Sequence, residues 1–261
     1  MISLAEANKV GGHKLSQKSL VIHGDAFASG VRQLIDKLVA HGEYARFKLI
    51  ICDPPYGNIN KNKEWDDVAE YNRWFAHCVD RAQKYATICM WGGVGKPGNR
   101  PFLEWCSRVE KDFTEWEGSM ITWGKRRGYG LSDDYLFTRE ECFILYRGPR
   151  GKTGNPVFNI PLLSTLRGYD GYSEKYPAKS KYLRRTNVWS DIGELLRGKI
   201  HPTQKPDKLY EILVSTHSNE GDIVYDPCAG SGTTARACKT LNRTYCIVEK
   251  HRPYLEEAKL M

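Results

Sequence analysis

The sequence predicts a doubly wound α/β fold, a mostly parallel sheet with helices on both faces. Three observations lead there. Short apolar runs without polar alternation, such as residues 49–52, read as strands buried on both sides. They alternate with amphipathic helical stretches, the pattern of βαβ units. Two of the strands end in distinctive loops, "DPPYG" at residues 53–57 and "DPCAGSG" at 226–232. Open α/β sheets bind ligands beyond such strand ends.

In chain order, "LVIHGDA" (20–26) predicts a strand and "VRQLIDKLV" (31–39) a helix, with Val31, Leu34, Ile35, Leu38 and Val39 on one face. "FKLIICD" (47–53) is the next strand, and its end is abrupt. Pro54 and Pro55 have no amide hydrogen and fixed φ, and Asp53 is held extended by the proline after it, so a rigid acidic tip results. A helix over 71–85, a strand over 86–93 and a helix near 101–109 continue the alternation. Residues 118–125 and 140–148 read as neighbouring strands. Further on, 205–217 predicts a helix, 221–227 a strand, 233–242 a helix and 243–250 a last strand.

At 261 residues the chain suits one domain carrying an inserted lobe. Hydrophobic residues make up 41% and charged residues 27%, a globular composition. No apolar run approaches the roughly 20 residues that span a bilayer, and residues 1–20 lack the apolar core of a secretory signal, so a cytoplasmic protein is expected. Eight cysteines show no C-x-x-C spacing, which points to reduced core residues and to no metal site.

The net charge of +8 favours a polyanionic partner. Most of it is local, because residues 147–199 hold eleven Lys or Arg against four Asp or Glu. This segment is rich in Gly, Pro and Tyr without sustained periodicity and reads as an irregular basic insertion. The expected division is therefore 1–146, 147–199 and 200–261. Phe158, Tyr169, Tyr172, Tyr176, Tyr182 and Trp189 interleave with the charge, which favours a nucleic-acid surface over a solvated loop. Lys181, Arg184 and Arg185 are its candidate contacts. Lys125, Arg126 and Arg127 of "GKRRGYG" are a second candidate phosphate clamp, with a solvated loop as the nearly equal alternative.

"VYDPCAGSGTTARAC" (224–238) sets a glycine-rich turn between a strand and a helix. Glycine lets the backbone approach a ligand closely, and the amides of the helix start face it. Glu249 follows Gly230 by 19 residues at the end of the next strand, a spacing that suits a ribose contact. Gly230 to Ala235 also fits the G-x-G-x-x-A pattern of nicotinamide enzymes, so an oxidoreductase competes. The motif leaves room for one further strand, where a dinucleotide needs a second nucleotide-binding half. A cofactor with a single adenosine is the better expectation.

With "HGDA" (23–26), "DPPYG", "HPTQKP" (201–206), "DPCAGSGTT" and "TYCIVEK" in this order, the sequence resembles the beta group of S-adenosylmethionine-dependent DNA amino-methyltransferases, of the N6-adenine type. The resemblance implies a circularly permuted Rossmann-like methyltransferase fold, S-adenosylmethionine as cofactor, double-stranded DNA as substrate, and residues 147–199 as the target-recognition region. It implies that Asp53, Pro54, Pro55 and Tyr56 are catalytic. Asp25 and Ala26 would take the adenine and Glu249 the ribose. Asp226, Ala229, Gly230, Ser231 and Gly232 would hold the methionine end, bordered by Thr203 and Lys205, with Asp53, Cys228 and Thr233 also beside the cofactor. Cys228 departs from the family, which usually has an aromatic such as Phe there, and this would loosen cofactor packing. His201 is expected to pack or cap. A cognate restriction endonuclease is a candidate partner, and monomer and homodimer are both open. In this family an aspartate before Pro-Pro-Tyr usually accompanies adenine and a serine cytosine. An N4-cytosine methyltransferase is the first alternative, ahead of an inactive nucleic-acid-binding protein, and RNA is not excluded by charge.

The chemistry fits the residue types. An exocyclic amine is a poor nucleophile because its lone pair is delocalised into the ring. The Asp53 carboxylate and the Pro54 carbonyl could accept its two hydrogens and aim the lone pair at the methyl donor, as preorganised electrostatics. The base must leave the duplex to be reached, and stacking on Tyr56 would offset that cost.

Overall fold

The computed structural model describes residues 19–40, 46–56, 70–93, 100–129, 135–148, 156–166, 182–195 and 197–260. The chain runs β1 (Leu20–His23), α1 (Ser29–Ala40), β2 (Phe47–Cys52), α2 (Tyr71–Val79), β3 (Ala82–Gly93), α3 (Pro101–Asp112), β4 (Trp116–Tyr129) and β5 (Phe137–Arg147). It continues through β6 (Leu162–Leu166), β7 (Tyr182–Arg184), β8 (Val188–Trp189), α4 (Asp207–His217), β9 (Ile223–Asp226), α5 (Thr233–Thr240), β10 (Thr244–Glu249) and α6 (Arg252–Glu257).

Eight strands form one sheet in the order β1-β10-β9-β2-β3-β5-β4-β8. The five from β1 to β3 are parallel, and β5 is antiparallel to both β3 and β4. Strand parity sorts the core into two layers. Ile50 and Cys52 of β2 pack with Val31 and Ile35 of α1, Phe75 of α2 and Phe102 of α3. Leu49 and Ile51 face the other way, onto Leu209 and Leu213 of α4, Ala235 of α5 and Leu255 of α6. That two-sided burial explains the unbroken apolar run in β2.

From β2 the chain winds toward β3, and from β9 it winds the opposite way toward β10. The crevice between β2 and β9 is therefore the topological switch point. Their register, Leu49 opposite Val224 and Ile50 opposite Tyr225, makes Asp53 and Cys228 leave the sheet at the same level.

Three expectations change, and one helix goes unread. The helix expected over 71–85 ends at Val79, because Ala82 already pairs with Phe47 and strand β3 begins there. Ladder hydrogen bonds outweigh the helical period of this stretch. β1 stops at His23, so Asp25 and Ala26 lie in the turn before α1. The helix α6, with Leu255 as its one buried residue, carries too little apolar pattern to read from sequence. The basic insertion is not wholly irregular: β6 pairs with β7, and β8 joins the main sheet with Val188 opposite Thr122 and Trp189 opposite Trp123. The Trp123 indole donates to the Ile192 carbonyl at 2.7 Å, fastening this edge.

Among the described residues no helix is long and apolar enough to cross a membrane, and no cluster of His, Cys, Asp or Glu could hold a metal ion. All eight cysteines are free.

Candidate active site

A pocket of about 440 Å³ opens over the switch point. Its wall is built from the turn after β1 (Gly24, Asp25, Ala26, Phe27), the tip Asp53 to Tyr56, the segment before α4 (His201, Thr203, Lys205), the glycine turn after β9, and Glu249 at the end of β10. The volume lies within the roughly 300–1,000 Å³ usual for small-molecule sites.

One side of the pocket is the glycine turn. Gly230 and Gly232 have φ of +52° and +72°, the left-handed region that favours glycine. A Cβ on Gly232 would also stand 2.0 Å from Leu260 Cδ1. The turn is held by carboxylates. Glu249 accepts the Gly230 amide at 2.6 Å and the His251 amide at 2.8 Å. Asp226 accepts the Cys228 amide at 3.0 Å and the Thr234 hydroxyl. Burial raises the pKa of Asp226 to about 7 against the opposing effect of these bonds. Arg236 closes the outside of the turn, donating to the Ser231 carbonyl at 2.6 Å and gripping Asp207 through two nitrogens.

Facing the turn, Asp25 accepts the Phe27 amide at 2.8 Å. Phe27 lies 4.5 Å from Trp74 ring to ring, with the Arg73 guanidinium 4.0 Å from its centroid. The Thr203 amide donates to His201 Nδ1 at 3.3 Å, and the His201 ring meets Tyr254 edge-on at 4.4 Å. His201 is thus a packed histidine that also lines the pocket. Cys228 lies against Cys52 and the α1–α3 layer.

The other side is a group of charges. Tyr56 donates to Asp53 Oδ1 at 2.8 Å and lies 3.2 Å from Glu140 Oε2. Lys205 donates to Asp53 Oδ2, to the Tyr56 oxygen at 3.1 Å and to Glu140 Oε2 at 3.2 Å. Lys125 binds the other oxygen of Glu140. Burial raises the Asp53 pKa and Glu140 adds to the rise, against the pull of Lys205. Burial alone would raise Glu140 as well, but Lys205 and Lys125 hold it at about 2. Burial works against the Lys205 charge, yet Asp53 and Glu140 raise its pKa above the usual lysine value. The resting group is two carboxylates and two ammoniums, balanced in charge.

The basic candidates scatter. Lys125 turns inward to pair with Glu140 of β5, which lines the pocket. Arg126 and Arg127 are exposed at the end of β4, where the Arg126 amide donates to Glu194 at 2.9 Å. Arg184 is exposed beside the ring of Phe158. Arg185 forks onto Asp191 with bonds of 2.7 and 2.8 Å, and its side chain is only 8% exposed. Lys181 lies outside the described residues. Reading the sequence did not single out Glu140, Phe27 or Trp74. Strand parity is the signal for Glu140, which shares a face with Cys142, Ile144 and Tyr146.

The glycine turn, Glu249, Phe27 and Asp25 thus line one pocket with the acid tip. Comparison with known proteins shows the family. Residues 47–260 match the family described as DNA methylase. The type II methyltransferase M.HpaI of Haemophilus parainfluenzae is 30% identical over 225 residues, 81% of this chain and 66% of that protein, so the chain spans just under two thirds of this relative's length. Among solved structures, M1.HpyAVI in complex with SAM aligns with a TM-score of 0.60 at 24% identity, over 92% of this chain and 98% of that one. PvuII DNA methyltransferase, described as cytosine-N4-specific, aligns with a TM-score of 0.62 at 16% identity, over 94% and 88%. The acid tip and the glycine turn therefore meet in a fold shared with DNA methyltransferases, and the chain belongs to the S-adenosylmethionine-dependent DNA methylase family.

Proposed function

We propose that the protein methylates the exocyclic N6 amine of an adenine flipped out of double-stranded DNA. The observation that carries this is the placement of Asp53, Pro54, Pro55 and Tyr56 in the wall of the same pocket as the glycine turn. The cofactor, when bound, supplies an electrophilic methyl group. Asp53 and the Pro54 carbonyl accept the amine hydrogens, the prolines hold both acceptors still, and Tyr56 stacks on the extruded base. Asp226 and the glycine turn hold the methionine end, Glu249 the ribose, and Asp25, Ala26 and Phe27 the adenine. Residues 147–199 form the target-recognition region, whose exposed Arg184 contacts phosphate.

Adenine is chosen over cytosine because an aspartate stands before Pro-Pro-Tyr, the residue that usually accompanies adenine in this family. Methylation of cytosine N4 is the second reading, favoured by the likeness in fold to a cytosine-N4-specific enzyme. Digesting DNA methylated by the protein to nucleosides and weighing them by mass spectrometry decides between the two. N6-methyladenine is expected, and N4-methylcytosine alone would overturn the choice of base.

A further inference from the structure

We propose that Glu140 is a positioning residue for methyl transfer, holding Lys205 beside Asp53 and taking over its charge when Asp53 engages the target amine. The inference rests on the reading of Asp53 as the acceptor of that amine.

Lys205 has three N–H donors and three acceptors around it: Asp53 Oδ2, the Tyr56 oxygen at 3.1 Å and Glu140 Oε2 at 3.2 Å. Its side chain is 3% exposed, so these three protein oxygens are the partners it has at hand. Both Asp53 oxygens are already in use, one by Tyr56 and one by Lys205. Each oxygen can accept a second bond, but an incoming amine meets a carboxylate that an ammonium already grips, and a buried ammonium with no other anion would not shift away. Glu140 removes that obstacle. It already touches Lys205, so a small shift of the ammonium transfers its main ion pair from Asp53 to Glu140 without passing through an unpaired state. Lys125 neutralises the second oxygen of Glu140, which keeps the group balanced before and after the shift.

The same arrangement accounts for the proton. As the amine lone pair forms the N–C bond, the S–C bond breaks with its electrons on sulfur, and the nitrogen must shed one proton. Asp53 is the facing base that takes it and passes it to water. While Asp53 is neutral, Lys205 keeps a counter-charge in Glu140.

The test compares Glu140→Gln with the wild-type full chain on whichever base the wild type methylates. The groups facing Asp53 are Tyr56 on its own tip, Lys205 before α4, Glu140 and Cys142 on β5 with Lys125 of β4 behind Glu140, Tyr71 of α2, Tyr210 of α4, Asp226 of β9 and Cys228 after it. Only Glu140 changes. The expected result is a plateau kcat lower on the order of 10- to 100-fold, as for misplaced catalytic groups, with cofactor affinity unchanged. The acid limb of the kcat profile should move to lower pH, because Glu140 no longer repels the Asp53 carboxylate. In a Lys205→Met background, Glu140→Gln should cause no further loss. An unmoved limb with an unchanged plateau, or losses that multiply in the double variant, overturns the proposal. Should Glu140→Gln fail to fold, Glu140→Asp replaces it: the charge and the acid limb stay, the shorter arm releases Lys205, and the plateau falls. A wild-type plateau in that variant is equally fatal. N4-methylcytosine as product would sink the choice of base and leave this test intact, whereas full turnover by Asp53→Ala would sink the role of Asp53 itself.

Discussion

Cys52 and Cys228 meet with their sulfur atoms 3.7 Å apart, although 176 residues separate them in sequence. Each stands beside a functional motif: Cys52 precedes Asp53, and Cys228 precedes the glycine turn. Their contact marks where the two halves of the pocket join, and it rests on the register of β2 against β9.

Burial pushes the Cys228 thiol up to about 12 and Cys52 well above the usual thiol range. Both therefore stay protonated near neutral pH, Cys52 fully buried and Cys228 half-buried in the pocket wall, and the thiolate is the reactive form. Iodoacetamide at about neutral pH should leave both unmodified in the native protein and label both after denaturation, as read by peptide mass spectrometry. Rapid native alkylation of either would contradict this packing.

Asp53→Ala should reduce methyl transfer by about 10²- to 10³-fold, the usual cost of removing one oriented partner at a reacting centre. Folding should survive, because Lys205 retains Glu140 as a counter-ion. Cofactor affinity should change little, since Glu249 and Asp226 hold the opposite side of the pocket. Calorimetric titration with the cofactor, alongside a turnover assay, separates these effects, and near-normal turnover would refute the assignment.

Asp226 links stability to pH. Its folded pKa of about 7 lies above the ordinary aspartate value of 3.8, so the native state binds this proton more tightly than the unfolded chain. The contribution is complete below the unfolded value, declines as pH rises between the two, and is gone above the folded one. Asp226→Asn removes that decline while keeping an acceptor for the Cys228 amide. The variant should exceed the wild type in stability at pH 8 by a few kcal/mol, at about 1.4 kcal/mol for each pH unit separating the folded and unfolded values, and by much less at pH 5. Urea denaturation at the two pH values measures it, and a pH-independent difference would count against the raised pKa.

Arg184 and Arg185 are neighbours with different employment. Neutralising Arg184, which is exposed, should lower the slope of log affinity for DNA against log salt by about 0.9, one phosphate contact. Neutralising Arg185 should instead cost stability, because its side chain is buried against Trp189 while it forks onto Asp191. Salt titrations and thermal melts of the two variants distinguish them, and identical behaviour would show that the pairing with Asp191 does not matter.

The acid tip and the glycine turn were legible because their signals are local: an apolar run stopped by prolines, and glycines between a strand and a helix. Glu140 was not, because β5 is apolar on both faces, with Cys142 and Ile144 on one and Phe143 and Leu145 on the other. Nothing in "EECFILY" says which glutamate faces the pocket until the strand is paired. Lys125 read as one end of a basic phosphate clamp because Arg126 and Arg127 follow it, yet β4 continues through it to Tyr129 and it pairs with Glu140 instead. For Arg185, composition reports a charge but not the Asp191 that already occupies it. The helix over 71–85 failed for a related reason, since its apolar period persists into Ala82, which a strand partner claims.

The adjacency of β2 and β9 also bears on how the molecule folds. Pairing residues so distant along the chain closes a long loop, and such contacts slow the search for the native state. A growing polypeptide that has exposed its acid tip still has no place for the methyl donor, because β9, β10 and the turn between β9 and α5 have yet to emerge. The pocket is complete only when β9 lies against β2 and β10 against β1. In a refolding experiment, the moment at which cofactor is first captured thus times the closing of the sheet.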